Sequence, residues 1–285
     1  MKSDFPIAVI DVGSNSVRLM FTDGFFKEKK IITTRLGESA GGSKNLLPSA
    51  MERTVLAISE FKREAEKRGA KKICVFATQA VRGADNKAEF LKAVKEKCGL
   101  NVDVLSGEKE AISGLLGATG GNNGGIIDVG GASSEAGVLK NGKIVYAASV
   151  PVGAVRLYSE FLRNKEKIEN YLLKVAAAFK GAPVTDYFAI GGTAGSLAAV
   201  DLNLKVYDFE KTDGHFITLE RLEDLKDELF SLSPERIFEK YCVDEKRADI
   251  IAGGAATLIA IMKAIGLKGV TVSEKDNLEG YLELL

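Results

Sequence analysis

At 285 residues with 46% apolar content, the chain can bury one large or two medium-sized cores. Its 39 basic and 39 acidic side chains cancel, which argues against wrapping nucleic acid by bulk positive charge but leaves room for a polyanion held by a local patch. The unclustered Cys74, Cys98 and Cys242 point to free thiols in a reducing compartment, and the single histidine, His215, excludes a multi-histidine metal centre.

Met1 to Asp4 is too short and polar for a leader, and no apolar run approaches membrane-spanning length, so a cytoplasmic protein with neither membrane nor nucleic acid as partner is expected. Ile7 to Asp11 reads as a buried strand, Gly13 to Ser16 as a tight polar turn, and Val17 to Phe21 as a second strand. Asp23-Gly24 is a hairpin signal and leads into a third strand over Lys30 to Leu36. Gly37 to Asn45 is a polar loop. Pro48 and the Ser49 to Glu52 capping box open a helix whose apolar stripe runs through Met51, Val55, Ile58, Phe61 and Ala65. A strand follows at Lys72 to Thr78, a small polar segment at Thr78 to Asn86, a helix from Asn86 to Gly99, and a strand at Val102 to Leu105. Ser106 caps a helix reaching about Leu116, and the Gly- and Asn-rich run Gly117 to Gly125 is the expected domain joint, giving domains 1–121 and 122–285.

Ile126 to Glu135 then repeats the opening pattern: apolar strand, Asp128, a Gly-rich turn, and a second strand at Gly137 to Lys140. Asn141-Gly142 marks the second hairpin, and Lys143 to Val150 is its third strand. Helices follow at about Ala154 to Leu162 and Lys165 to Phe179, then a strand at Tyr187 to Ile190 cut by Gly191-Gly192-Thr193, and small helix formers to Val200. Thr218 to Leu232 is amphipathic, Ser233-Pro234 starts a helix, Arg247 to Ile265 is a long apolar helix, Val270 to Ser273 is a strand and Leu278 to Leu285 a closing helix. Meander then helix–strand units, twice over, means α/β.

The duplicated turns carry the chemistry. A carboxylate at the end of a buried strand, followed by small residues with accessible peptide N–H groups, suits a metal-bound phosphate. Asp11 and Asp128 are the metal-holding candidates. Gly13, Ser14 and Asn15 in the first turn, with Gly130, Gly131, Ser133 and Ser134 in the second, are the phosphate-binding candidates. Two such turns would grip a polyphosphate from both sides of a cleft. Arg18 and Arg82 are candidate phosphate clamps, because a guanidinium fork matches phosphate oxygens. Gly192 and Thr193, between strand and helix, form a further anion-favouring turn or only a tight connection.

Seven segments together resemble the exopolyphosphatase / guanosine pentaphosphatase (Ppx/GppA) family, a branch of the superfamily of acetate kinase, sugar kinases, heat-shock chaperone ATPases and actin. They are IDVGSNSVRL at 10–19, RLGE at 35–38, ATQAVRGADN at 77–86, SGEKEA at 106–111, DVGGASSE at 128–135, PVGAVRL at 151–157 and IGGTAGSLAA at 190–199. The resemblance implies two actin-like (ribonuclease H-like) α/β domains, each a mixed sheet with helices, around a central cleft. It implies magnesium-assisted hydrolysis of the terminal phosphate of a polyphosphate chain, with guanosine pentaphosphate as the alternative substrate, and members often dimerise. A phosphotransferase or a non-catalytic nucleotide- or polyphosphate-binding regulator are the other classes. Glu110 aligns with the family's catalytic glutamate, which activates water, and Glu135 with a second acid that binds the cation or orients water. At Ala132 the family usually has Gly, and at Asp276, Asn277 and Leu278 it typically carries Gly-Leu-Arg. The chain ends at Leu285 without the further helical domains of longer relatives, which implies a preference for short chains.

Overall fold

The computed structural model describes residues 5–38 and 44–285. The polar start, Met1 to Asp4, and positions 39–43 of the expected loop lie outside them. Packing divides the chain into two units, Met1–Ser106 and Gly107–Leu285. Among the described residues no helix is long and apolar enough to cross a membrane.

In the first unit β1 (Ile7–Val12), β2 (Ser16–Thr22) and β3 (Lys27–Thr33) form an antiparallel meander. Then come α1 (Pro48–Lys67), β4 (Lys72–Ala77), α2 (Gln79–Arg82), α3 (Lys87–Cys98) and β5 (Val102–Val104). The sheet order is β3-β2-β1-β4-β5, with β4 and β5 parallel to the growing sheet. Every residue of β1 is buried, because a central strand with covered faces tolerates a continuous apolar run. β3 lies at the edge and carries Lys27, Lys29 and Lys30, charges that discourage strand addition.

One local expectation is corrected here. α1 begins at Pro48, with Leu47 as its N-cap and no side-chain cap, so Ser49 falls inside the first turn. Proline's fixed φ and missing N–H suit that first position. Asn86 stands at the N-cap position of α3 as the sequence places it, but its side chain makes no cap bond; the amide instead exchanges bonds of 2.9 and 3.0 Å with the Leu46 backbone and stitches that loop to the helix start.

The second unit opens with α4 (Gly107–Thr119), then β6 (Gly124–Val129), β7 (Ser134–Lys140) and β8 (Lys143–Val150), again antiparallel. α5 (Ala154–Phe161), α6 (Lys165–Val175) with a 3-10 turn at Ala176–Phe179, β9 (Tyr187–Ile190) and α7 (Gly191–Asp201) follow. The rest is α8 (Phe209–Thr212), β10 (Phe216–Thr218), α9 (Leu219–Ser231), α10 (Pro234–Lys240), α11 (Glu245–Ala248), α12 (Ile251–Ile265), β11 (Gly269–Ser273) and α13 (Asn277–Glu283). The sheet order is β10-β11-β9-β6-β7-β8. Read from its meander, β8-β7-β6-β9-β11 repeats the first sheet, and β10 is an added edge strand just ahead of the amphipathic helix, where the sequence pattern assigns no element.

The units part ahead of α4, not at the Gly-rich run. Gly120, Gly121 and Gly124, all at positive φ, turn the chain from α4 into β6 inside the second unit. α4 belongs there because it packs on that sheet and on α13. The two helices cross at glycines. A Cβ on Gly117 would lie 2.0 Å from the Asp276 carbonyl oxygen, and one on Gly280 would lie 1.6 Å from that of Ser113. Gly280→Ala should therefore destabilise the second unit by about 3 kcal/mol, since both obstacles are backbone. An unchanged midpoint in urea or thermal unfolding would contradict the crossing.

Candidate active site

Both meanders close on the same turn. Gly13 N donates to Ser16 O and Gly130 N donates to Ser133 O, each at 3.0 Å. A Cβ on either glycine would meet that acceptor at 3.1 Å. Neither glycine has a positive φ, so close approach rather than handedness accounts for the residue type. Ala132 also lies outside the left-handed region and fits without backbone strain. Ser134 and Glu135 are not loop residues; they begin β7.

The segment after each third strand folds onto the turn and takes up its carbonyls. Gly37 N donates to Ser14 O (2.7 Å), and Thr34 N and Arg35 N donate to Asn15 O. In the second copy Ala154 N donates to Gly130 O and Arg156 N to Gly131 O, both at 3.0 Å. A peptide's N–H points opposite to its C=O. The N–H groups of Asn15, Gly131 and Ala132 therefore face away from these segments, the arrangement of an anion-binding nest. Gly37 and Gly153 allow the approach: a Cβ would lie 2.8 Å from Ser14 Cβ in the first case and 2.5 Å from Gly130 O in the second.

The copies differ in the residue opposite the aspartate. In the first, Asp11 pairs across the strands with Arg18. Arg18 Nε and Nη2 donate to Asp11 Oδ2 at 2.9 and 2.5 Å, so the candidate cation holder and the candidate clamp neutralise each other. In the second, Asp128 lies opposite Glu135. Like charges in that position repel. Glu135 is 1% exposed, and burial, with the Glu110 and Asp128 carboxylates beside it, pushes its carboxyl well above the usual range. Hydroxyl bonds from Ser149, at 2.6 Å to Oε1, and from Ser133 act the other way. Glu135 Oε2 is buried with no hydrogen-bond partner. Glu110, in the first turn of α4, is itself buried. The site in this unit is thus a cluster of three acids.

The remaining candidates are held by the protein. Arg82 donates from Nη1 to Leu105 O (2.6 Å) and from Nε and Nη2 to Gln79 Oε1. Ser134 Oγ donates to Val152 O, and Thr193 Oγ1 to Val129 O, both at 2.7 Å. The Arg247 guanidinium lies on Gly192, where a Cβ would be 1.8 Å from Nη1. His215 stands outside the site, its Nε2 at 2.7 Å from Asp201 Oδ2.

Three further residues stand at the cluster: Ser149, which the sequence does not single out, and Gly191 and Asn277, which it places in a turn and in a departure from the family pattern without showing that they meet Asp128. Ser149 binds Glu135 from β8, and only the strand register reveals it. Gly191, at φ +80°, lies so close to Asp128 that a Cβ would be 2.7 Å from Oδ1. Asn277 Nδ2 donates to Asp128 Oδ2 at 2.8 Å. The departure at 276–278 was visible in the sequence, but not that it touches an acid 149 positions away.

The donor set fits a hard divalent cation. The buried Oε2 of Glu135 has no protein donor, and two carboxylates face each other across the strands. Among the described residues no three acidic, histidine or cysteine side chains converge closely enough to enclose an ion alone. Magnesium commonly sits on one or two carboxylates and completes its shell with water and substrate phosphate.

The chain is 29% identical to the bifunctional 3-dehydroquinate synthase/phosphatase of Fusobacterium nucleatum over 99% of its own length but 46% of that protein's, so it spans about half of that relative. It is 24% identical to exopolyphosphatase 2 of Mycobacterium tuberculosis over 96% of both chains. The crystal structure of the Aquifex aeolicus Ppx/GppA family member superposes with a TM-score of 0.78 at 28% identity, covering 97% of this chain and 95% of the other. With residues 6–283 matching the family's model, the chain belongs to the Ppx/GppA phosphatase family.

Proposed function

We propose that this chain hydrolyses the terminal phosphoanhydride bond of inorganic polyphosphate and releases orthophosphate. The observation that carries the reading is the acid cluster of the second unit, Glu110 beside the opposed Asp128 and Glu135. It supplies a base and a cation seat in one place. Family membership and the likeness to an exopolyphosphatase support the substrate class.

Glu110 takes the proton of the attacking water as its oxygen bonds to the terminal phosphorus. The bridging P–O bond breaks, and the shortened chain leaves as its new terminal phosphate. Asp128 and Glu135 would hold a divalent cation in the second unit, whereas Asp11, the other metal candidate, is taken up by Arg18. Bound there, the cation would offset phosphoryl charge. The outward peptide N–H groups of Asn15 in the first turn and of Gly131 and Ala132 in the second bind phosphoryl oxygens, while those of Gly13 and Gly130 close the turns and Ser134 fixes the second turn through Val152. Arg82, held in place by Gln79 and Leu105, adds fixed positive charge, whereas the charge of Arg18 is offset by Asp11. The start of α7 at Gly192 and Thr193 adds a helix N-terminus that favours anions.

The test is phosphate release from long polyphosphate, tripolyphosphate, guanosine pentaphosphate and ATP, side by side, with magnesium and with EDTA. The expected result is magnesium-dependent release from polyphosphate, without an acceptor, at rates at least tenfold above ATP. Faster release from guanosine pentaphosphate would transfer the assignment to that substrate, and no release from any of the four would overturn it.

A further inference from the structure

We propose that Asn277 is a positioning residue that fixes the Asp128 carboxylate in its cation-holding orientation; the proposal rests on the functional reading above. Asp128 is held from two sides. Its Oδ2 accepts the 2.8 Å bond from Asn277 Nδ2, and its Oδ1 lies against the bare Cα of Gly191. The amide can face the acid in only one sense, because a carbonyl turned toward a carboxylate repels it. Facing that way, Asn277 Oδ1 is buried with no hydrogen-bond partner, close to Gly114, where a Cβ would be 3.2 Å away. A buried polar atom left without a partner is unfavourable and calls for an explanation. A side chain kept only for packing would be better apolar, as the fully buried Leu278 beside it is. The donor aimed at Asp128 is what the amide supplies.

The helix that presents Asn277 is itself fixed. Ser113 Oγ on α4 donates to the Asn277 carbonyl at 3.0 Å. Asp276 and Glu279 form a reciprocal capping box at the start of α13. The glycine crossing of α4 and α13 leaves no room for sliding. Glu110 rides on the same α4. One helix pair therefore sets both the base and the orientation of Asp128, and a ligand's own partner commonly changes metal affinity or activity by 10–100-fold.

The test compares wild type, Asn277→Leu and Asn277→Asp by thermal unfolding across a magnesium titration, with kcat and KM on polyphosphate measured in parallel. Asn277→Leu removes the donor without adding charge. Its magnesium midpoint should rise about tenfold, with a fall in kcat rather than a rise in KM. Asn277→Asp, of the same shape, adds an acid beside Asp128. Its magnesium midpoint should fall while kcat also drops, because the extra charge attracts the ion and the lost donor frees the carboxylate. Shifts of opposite sign are not produced by a merely structural role. Midpoints that move together, or do not move, would overturn the proposal. If Asn277→Leu does not fold, the direction of the Asn277→Asp shift decides: a midpoint equal to or above wild type overturns it. Wild type that neither responds to magnesium nor releases phosphate fails the functional reading itself. Wild type that does both, beside variants indistinguishable from it, fails this proposal alone.

Discussion

Glu110→Gln is expected to lower the rate of phosphate release about 10²–10⁴-fold, the range associated with a positioned general base. Gln keeps the shape and loses the proton acceptor, so the loss should fall on kcat, with KM little changed. The fold should not suffer. Glu110 is buried beside Glu135, and removing one of several neighbouring charges relieves repulsion, so the thermal midpoint without magnesium should hold or rise. Glu108, exposed on the same turn, is the control: Glu108→Gln should turn over at the wild-type rate, because an exposed first-turn acid only complements the helix dipole. Equal rates for Glu110→Gln and wild type in stopped phosphate-release assays would assign proton removal to another group.

The fold was legible where a short-range rule decides it. Asp-Gly and Asn-Gly named both hairpins, and alternating meander and helix–strand units named the α/β class and its duplication. β10 was not legible. Its three residues become a strand only because β11 lies beside them, and pairing is a tertiary fact. The Gly-rich run at 117–125 looked like a joint because glycine marks flexibility in sequence. In the structure those glycines turn the chain at positive φ, or admit another helix's backbone at Gly117 and the Tyr187 ring at Gly125. The candidate site is legible in sequence as a list of residues and not as a set of contacts. Asp11, Arg18, Asp128 and Glu135 were all named. That Arg18 and Glu135 occupy the same register position, one neutralising its aspartate and the other opposing it, needs the strand pairing. This difference gives the duplicated turns opposite electrostatics. The first is internally neutralised and suited to phosphate through its peptide groups. The second carries an excess of negative charge that a cation would relieve.

That excess makes Glu135→Gln the most informative companion variant. Gln can still accept from Ser149 through its oxygen, and its amide nitrogen replaces the buried, partnerless Oε2 with a donor facing Glu110 and Asp128. In EDTA at neutral pH the variant should be more stable than wild type by roughly 1–3 kcal/mol, the scale of one buried unsatisfied group, or about 2–4 °C of midpoint per kcal/mol. The pH dependence has a definite sign. Glu135's folded carboxyl titrates well above its ordinary value of 4.5, so the folded protein holds that proton more tightly than the unfolded chain does. Its contribution to stability is complete below 4.5 and is lost as pH rises from there through the raised folded value. Gln does not titrate, so the advantage of the variant should be small in acid and grow toward neutral pH. Magnesium should reverse the order: wild type gains stability as the ion fills the cluster, while the variant, short of one carboxylate, gains little. Turnover should fall about 100-fold or more, in line with a weakened cation seat. A variant less stable than wild type in EDTA would mean that Glu135 is a structural acid. It would remove the reason for placing a cation between Asp128 and Glu135.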